Sequence, residues 1–128
     1  MKIDHLAIAV EDLESATEFY TSVFGFEIIH EGRVRDHYSR HMTDGNIDIA
    51  LIRYDRGASS GEATAVGGQP GIHHIGFNVE NVAESVRRIR ELGCEVISDD
   101  DVIPVKFRTA DGVVAEFAPM DHFKRTPG

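Results

Sequence analysis

The stretch Gly71–Asn81 reads GIHHIGFNVEN, and the stretch Ile3–Asp12 near the start of the chain reads IDHLAIAVED. In both, a histidine opens an alternation of small and large residues that ends in Val-Glu and in an Asn or Asp able to cap a helix. His5 and His74 hold the same place in the two copies. The pattern therefore predicts a duplicated module with one histidine from each half.

The segments that follow the two stretches repeat in the same order. In each unit an apolar stripe at helical spacing ends at a glycine, Gly25 or Gly93, and shorter strand patterns come next. An Asp-Gly hairpin signal then precedes the last strand of each unit, at 44–45 and at 111–112. Residues 32–42 are irregular, and they are predicted either as a third strand or as a long loop. The repeat is therefore predicted as β-α-β-β-β, twice.

The two faces of the first strand in each unit differ in size. One face carries large apolar residues that would pack under the helix. The histidine face has only small neighbours, namely Ala7, Ala9, Gly76 and Asn78. Small side chains leave space, so the sheet is expected to curve around a cavity. We therefore predict an α+β fold in which two tandem modules form a cupped mixed sheet around a cavity.

The domain organisation follows from the repeat and from one stretch rich in Gly and Ser. Residues 1–128 are predicted as a single domain, with module one at 1–55 and module two at 72–120. Residues 56–71 are predicted as the linker between them. Their composition fits either a segment that orders over a ligand or a passive tether.

The overall composition excludes several classes of partner. The formal net charge is −9 and the pI is near 5.1, and because an acidic surface repels phosphate backbones we expect no nucleic-acid partner. The apolar runs are shorter than the roughly 18 residues that a membrane span requires. The single cysteine, Cys94, excludes an intramolecular disulfide framework. We expect a cytoplasmic protein with no membrane partner.

The residues that point to chemistry are His5, His74 and Glu116. Glu116 lies on a predicted central strand between Val114 and Ala118 of the same face, where a carboxylate is costly to bury unless it is paired or metal-bound. Two histidines and one carboxylate around one cavity can hold a divalent Fe, Mn, Co, Ni or Zn ion and leave positions open for substrate. The alternative is that the histidines are separate strand residues and that Glu116 pairs with an arginine.

Three motifs resemble the vicinal oxygen chelate superfamily. They are DHLAIAVEDL at 4–13, Phe19-Tyr20 followed by Phe24-Gly25-Phe26, and Asp111-Gly112 followed by Glu116. This superfamily includes glyoxalase I, methylmalonyl-CoA epimerase, extradiol dioxygenases, fosfomycin-resistance enzymes and bleomycin-binding proteins. The resemblance implies paired modules whose cupped sheet surrounds a metal that chelates two adjacent substrate oxygens. It also implies that His5, His74 and Glu116 are the metal ligands.

The sequence departs from glyoxalase I and the epimerases at a fourth ligand position. Those relatives usually carry Glu, Gln or His on the fourth strand of module one, where this chain has Ala50, with Asp48 nearby on the same face. Either Asp48 supplies a fourth ligand or the site has three protein ligands. A three-ligand site resembles the extradiol dioxygenases and the fosfomycin thiol transferases more than glyoxalase I.

The candidate acid-base residues lie in the irregular part of module one. We predict His41, Tyr38 and Asp48 as catalytic groups, with His37 as a further candidate. Strand alternation places His73 on the face opposite to His74, so His73 is predicted either to support the ligands without binding the metal or to pack at the surface.

The sequence therefore predicts a metal-dependent enzyme of the glyoxalase and dioxygenase superfamily. Its substrate would be a small molecule with adjacent oxygens, and its reaction dioxygenase-like or lyase- or isomerase-like. The alternative is a metal-free protein that binds or sequesters a drug, as the bleomycin-resistance proteins do. Partly exposed sheet edges favour a homodimer, with the modules paired within one chain or swapped between two.

Overall fold

The computed structural model describes residues 2–65, 69–99 and 101–122. The chain follows the predicted β-α-β-β-β order twice, with one additional short helix between the two modules. The elements are β1 (Lys2–Ala9), α1 (Leu13–Phe24), β2 (Glu27–Val34), β3 (His37–Thr43), β4 (Asp48–Tyr54), α2 (Gly61–Ala65), β5 (Gly71–Val79), α3 (Val82–Glu91), β6 (Glu95–Val96), β7 (Val105–Arg108) and β8 (Val114–Pro119). The predicted α+β fold class is confirmed.

All eight strands form one mixed sheet in the order β2-β3-β4-β1-β5-β8-β7-β6. The first strands of the two modules, β1 and β5, lie antiparallel at the centre. Each of them also pairs in parallel with the last strand of its own module, β4 or β8. The two modules therefore pair within one chain, and their sheet encloses a cavity of about 570 Å³.

The two helices that the sequence predicts, α1 and α3, begin at their predicted caps. The Asp12 carboxylate accepts a hydrogen bond from the Ser15 N–H at 2.9 Å at the start of α1, and the Asn81 side chain accepts one from the Glu84 N–H at 2.9 Å before α3. Gly25 ends α1 with φ of 75°, a conformation that favours glycine. No helix in the described parts of the chain has the length and apolar composition needed to cross a bilayer.

Two of the apolar clusters lie on the sheet face opposite the cavity, one in each module, and a smaller one of Ala7, Ala50 and Ile52 lies on the cavity face. Of the two larger clusters, one packs beside α1 and the other beside α3. Their buried members are Leu13, Phe26, Met42, Ile49 and Leu51 in the first, and Val79, Val105, Phe107, Ala115 and Phe117 in the second. Because the helices cover the face opposite the cavity, the cavity face remains available for polar side chains.

Three segments differ from the sequence predictions in detail. Residues 37–43 form a strand, which excludes the long-loop alternative for this region. The strand predicted from Val102 begins only at Val105, since Pro104 has no N–H to donate to a neighbouring strand. The predicted linker contains α2, in which Ala63 is buried, so part of this segment packs against the domain.

Candidate metal centre

Three strands bring His5, His74 and Glu116 together at the base of the cavity. All three side chains are buried. Nε2 of His5 lies 3.4 Å from Glu116 Oε2, and Nε2 of His74 lies 3.1 Å from Glu116 Oε1. One potential ligand atom from each of the three lies within 4.8 Å of the others. We call these three residues the candidate ligands.

The ionisation of the candidate ligands suits a cation. Burial opposes ionisation of Glu116, but the charge of Lys106 and hydrogen bonds from both histidines outweigh it, so its pKa lies well below the usual value. Burial lowers the pKa of His74, which favours the neutral imidazole. Burial opposes the protonation of His5, but hydrogen bonds with Asp4 and Glu116 outweigh it and raise the pKa of that ring, so a cation there takes the place of a proton. Neutral imidazole nitrogens and a carboxylate are the donors that divalent transition metals take.

The His5 ring occupies space that only a glycine leaves open. Gly76 pairs with His5 across β1 and β5. A Cβ added at Gly76 would lie 2.2 Å from Cε1 of His5 and 2.6 Å from both ring nitrogens. The small residues that the sequence shows on this face are therefore needed for the histidine to reach the site.

Each candidate histidine is held at Nδ1 by the residue that precedes it. Nδ1 of His5 donates to Asp4 Oδ2 at 2.9 Å. Nδ1 of His74 lies 2.5 Å from Nδ1 of His73, whose Nε2 lies 2.9 Å from the Tyr54 hydroxyl. Contacts of this kind fix the orientation of a metal-binding imidazole and leave its Nε2 directed at the site.

The prediction that His73 lies on the opposite face is wrong. The pairing of β1 with β5 passes from Ala7↔His74 to Ile8↔Ile72, so that His73 is an extra residue in a bulge. The bulge interrupts the alternation on which the prediction rests. His73 is consequently buried beside His74.

The sheet register relates Ala50 to Glu116. Glu116 pairs with Gly76 on β5, and Gly76 pairs with His5 on β1. In the same way Ala50 pairs with Ala7 on β1, and Ala7 pairs with His74 on β5. The two rows are His5, Gly76, Glu116 and His74, Ala7, Ala50. Ala50 therefore lines the cavity at the place equivalent to Glu116 and offers no ligand atom.

Of the four acid-base candidates, the structure brings His41 and His37 to the cavity and leaves Tyr38 and Asp48 outside its lining. The ring centroids of His41 and His5 are 5.9 Å apart, and Ser39 Oγ lies 3.1 Å from His41 Nε2. Tyr38 faces the other side of the sheet, where it packs on the first apolar cluster and donates to Glu31 at 2.9 Å. Asp48 lies half-buried at the start of β4 and is not among the cavity-lining residues.

Sequence reasoning missed three charged residues that line this cavity, Lys106, Glu62 and Arg35. Lys106 pairs with Glu116 in the register of β7 and β8, and its Nζ lies 3.0 Å from Glu116 Oε1 and 2.5 Å from Glu62 Oε2. Glu62 is carried by α2, and its Oε1 accepts from Arg35 at 2.7 Å. The one available signal was a lysine between Val105 and Phe107 on a short apolar strand, since a lysine buried there needs an acidic partner.

The charges of Lys106 and Glu62 stabilise each other. Burial raises the pKa of Glu62, but the Lys106 charge and hydrogen bonds from Lys106 and Arg35 outweigh it and lower that pKa to about 2. Burial lowers the pKa of Lys106, and the charges of Glu116 and Glu62 raise it by more. The cavity therefore holds an ammonium group between two carboxylates.

A second group of possible ligands lies next to this ion pair. Asp36, His37 and Glu62 also place ligand atoms within 4.8 Å of one another. The Glu62 carboxylate is already bound by Lys106 and Arg35, so this group suits a cation less well than the candidate ligands do.

Several known proteins resemble this chain in sequence or in fold. An Ethylmalonyl-CoA/methylmalonyl-CoA epimerase of Cereibacter sphaeroides is 28% identical over 106 residues, which are 78% of this chain and 77% of the epimerase. The structure of hypothetical protein BH1468 from Bacillus halodurans superposes with a TM-score of 0.80 at 21% identity and covers 98% of both chains. A methylmalonyl-CoA epimerase variant of Streptomyces coelicolor in complex with 2-nitronate-propionyl-CoA gives a TM-score of 0.69 at 24% identity, covering 91% of this chain and 95% of that one.

The family assignment rests on the match to a family model over almost the whole chain. The matching family is described as Glyoxalase/Bleomycin resistance protein/Dioxygenase superfamily, and the match runs from residue 2 to residue 117. This range includes both modules and all three candidate ligands. The chain therefore belongs to the Glyoxalase/Bleomycin resistance protein/Dioxygenase superfamily.

Proposed function

We propose that this protein is a metal-dependent isomerase whose divalent ion is held by His5, His74 and Glu116. The observation that carries the proposal is the convergence of two imidazole Nε2 atoms on the two oxygens of one buried carboxylate. Fe, Mn, Ni, Co and Zn all accept this donor set. When bound, such an ion acts as a Lewis acid that polarises a carbonyl oxygen of the substrate.

The reaction class is supported by the relatives and by the residues around the ligands. The Cereibacter relative is named an epimerase, and an epimerase of such an acyl thioester inverts a carbon that bears an acidic C–H between two carbonyl groups. That reaction needs a group able to remove or return a proton. His41 faces the cavity beside His5, and we assign it this role, with Ser39 orienting its ring.

The substrate that best fits the proposal is a small acyl group with two neighbouring carbonyl oxygens, carried as a coenzyme A thioester. A cavity of about 570 Å³ has room for the acyl group. A metal-free drug-binding role is less well supported, because it gives no reason to bury two histidines against a glutamate in a polar cavity.

His41→Gln should lower the rate of proton exchange at the substrate α-carbon by about 10²- to 10⁴-fold, the usual contribution of a general acid-base group. Metal affinity should stay unchanged, because His41 is not a candidate ligand. The measurement is deuterium incorporation into methylmalonyl-CoA and ethylmalonyl-CoA followed by NMR, with bound metal determined on the same samples.

Tyr38→Phe is the matched control for this experiment. Tyr38 comes from the same strand as His41 but faces the opposite side of the sheet. The Tyr38→Phe protein should therefore exchange the substrate proton at the wild-type rate. A His41→Gln protein that exchanges at the wild-type rate would refute the assignment of His41.

Ala50→Gln should supply a fourth ligand and tighten metal binding by about tenfold or more. The register places Ala50 where Glu116 stands in the other module, and an additional oxygen donor there completes the coordination. Affinity is measured by competitive titration with Co²⁺, with Ala58→Gln, outside the cavity, as the control. Equal affinities of the two variants would show that position 50 does not reach the ion.

A further inference from the structure

We propose that Lys106 is an internal counter-cation of the candidate metal centre. Its ammonium group contacts both Glu116 and Glu62 in the metal-free chain, and when a divalent ion binds it gives up Glu116 and stays paired with Glu62. Lys106 and Glu62 therefore set the metal affinity in opposite directions. This inference rests on the proposed function, since it takes the candidate ligands to hold the ion.

The ammonium group and the ion compete for one oxygen atom. Oε1 of Glu116 lies 3.0 Å from Lys106 Nζ and 3.1 Å from His74 Nε2. An ion bound between His74 and this oxygen would lie close to the ammonium, and two cations at such a distance repel each other strongly in a buried site. The Lys106 side chain is buried, so water screens little of this repulsion.

Glu62 is the acidic partner that the ammonium group keeps when the ion binds. Its Oε2 is 2.5 Å from Lys106 Nζ, so the lysine can lose its contact with Glu116 and remain paired. Oε1 of Glu62 accepts from Arg35 at 2.7 Å, which holds the carboxylate in place from the other side. The cost of leaving a buried charge without a partner is therefore avoided when the ion enters.

The two residues should have opposite effects on metal binding. Without the Lys106 charge the ion has no competitor for Glu116, so its affinity rises. Without the Glu62 charge the ammonium has Glu116 as its remaining acidic partner, so the affinity falls. With both residues present, the ion should bind more weakly, and dissociate more readily, than it would from His5, His74 and Glu116 alone.

The test is titration of Co²⁺ into the metal-free wild-type chain and into Lys106→Met, Glu62→Gln and the double variant. We expect binding about tenfold tighter in Lys106→Met and about tenfold weaker in Glu62→Gln. In the double variant we expect the affinity of Lys106→Met within about threefold, because Glu62 acts through the lysine. A Glu62 that acts only through its own negative charge would weaken binding equally in both backgrounds, and that result overturns the proposal.

Arg108→Met is the matched control for the removal of a cation. Arg108 lies on the same strand and face as Lys106 and contacts the Ala65 carbonyl oxygen and Glu95. Its Co²⁺ affinity should stay close to that of the wild type. Lys106→Met leaves two carboxylates without their shared cation. If it does not fold without metal, the double variant is compared with Glu62→Gln: we expect about 100-fold tighter binding in the double variant, and a difference of about tenfold or less overturns the proposal.

The outcomes separate this inference from the proposed function. If wild-type protein binds no Co²⁺, both are overturned. If the wild type binds Co²⁺ and loses it in Glu116→Gln, the proposed metal site stands. Equal affinities of wild type and Lys106→Met in that case overturn the role of Lys106 alone.

Discussion

Glu116→Gln is expected to weaken divalent-metal binding by at least about 100-fold. The substitution keeps the shape of the side chain and removes the negative charge on which both candidate histidines converge. Lys106 keeps Glu62 as a charged partner, so the variant should fold. Activity should fall with the metal content. The measurements are Co²⁺ titration and the thermal midpoint with and without metal, because an ion that binds the native state raises the midpoint.

Glu31→Gln is the control for this substitution. Glu31 binds Arg40 and Tyr38 on the other face of the sheet, so its replacement removes a carboxylate without touching the cavity. Wild-type affinity is expected there. If Glu116→Gln keeps the wild-type affinity for Co²⁺, the three-residue site is refuted.

Gly76→Ala is expected to destabilise the fold by about 1–3 kcal/mol, as overpacking of a buried site does, and to weaken metal binding by about 100-fold. The new Cβ would lie 2.2 Å from Cε1 of His5, and the His5 ring cannot yield easily because Asp4 and Glu116 hold its two nitrogens. The ring must leave the position from which it reaches the site. Chemical denaturation and Co²⁺ titration measure the two effects.

Gly32→Ala separates this steric effect from the general cost of replacing a strand glycine. Gly32 also lies in a strand, and a Cβ there meets no atom within 4 Å. Its stability and Co²⁺ affinity should stay near the wild-type values. An equal loss in both variants would mean that the contact with His5 does not decide the outcome.

The parts of the fold that local signals determine could be predicted from the sequence. The caps at Asp12 and Asn81, the helix end at Gly25 and the two Asp-Gly turns depend on residues close together in the chain. The repeat added the long-range information that places His5 and His74 at equivalent points. This was enough for the fold class and for bringing the candidate ligands into one cavity.

The features that were missed depend on how the strands and the short helix pack together in three dimensions. The bulge at His73 arises from the register between β1 and β5, and alternation along a single strand cannot show it. Glu62 lies in a stretch whose Gly and Ser content is typical of a linker, and its partner Lys106 lies far along the chain. Tyr38 was predicted in the site because its region was irregular in sequence, and the strand formed there turns it to the other face.

The central claim is that His5, His74 and Glu116 hold one divalent ion, and the amount of Co²⁺ bound per chain tests it most directly. Equilibrium dialysis of the metal-free protein, followed by elemental analysis, should give about one equivalent of Co²⁺ per wild-type chain. Less than about a tenth of an equivalent in the wild type would contradict the account.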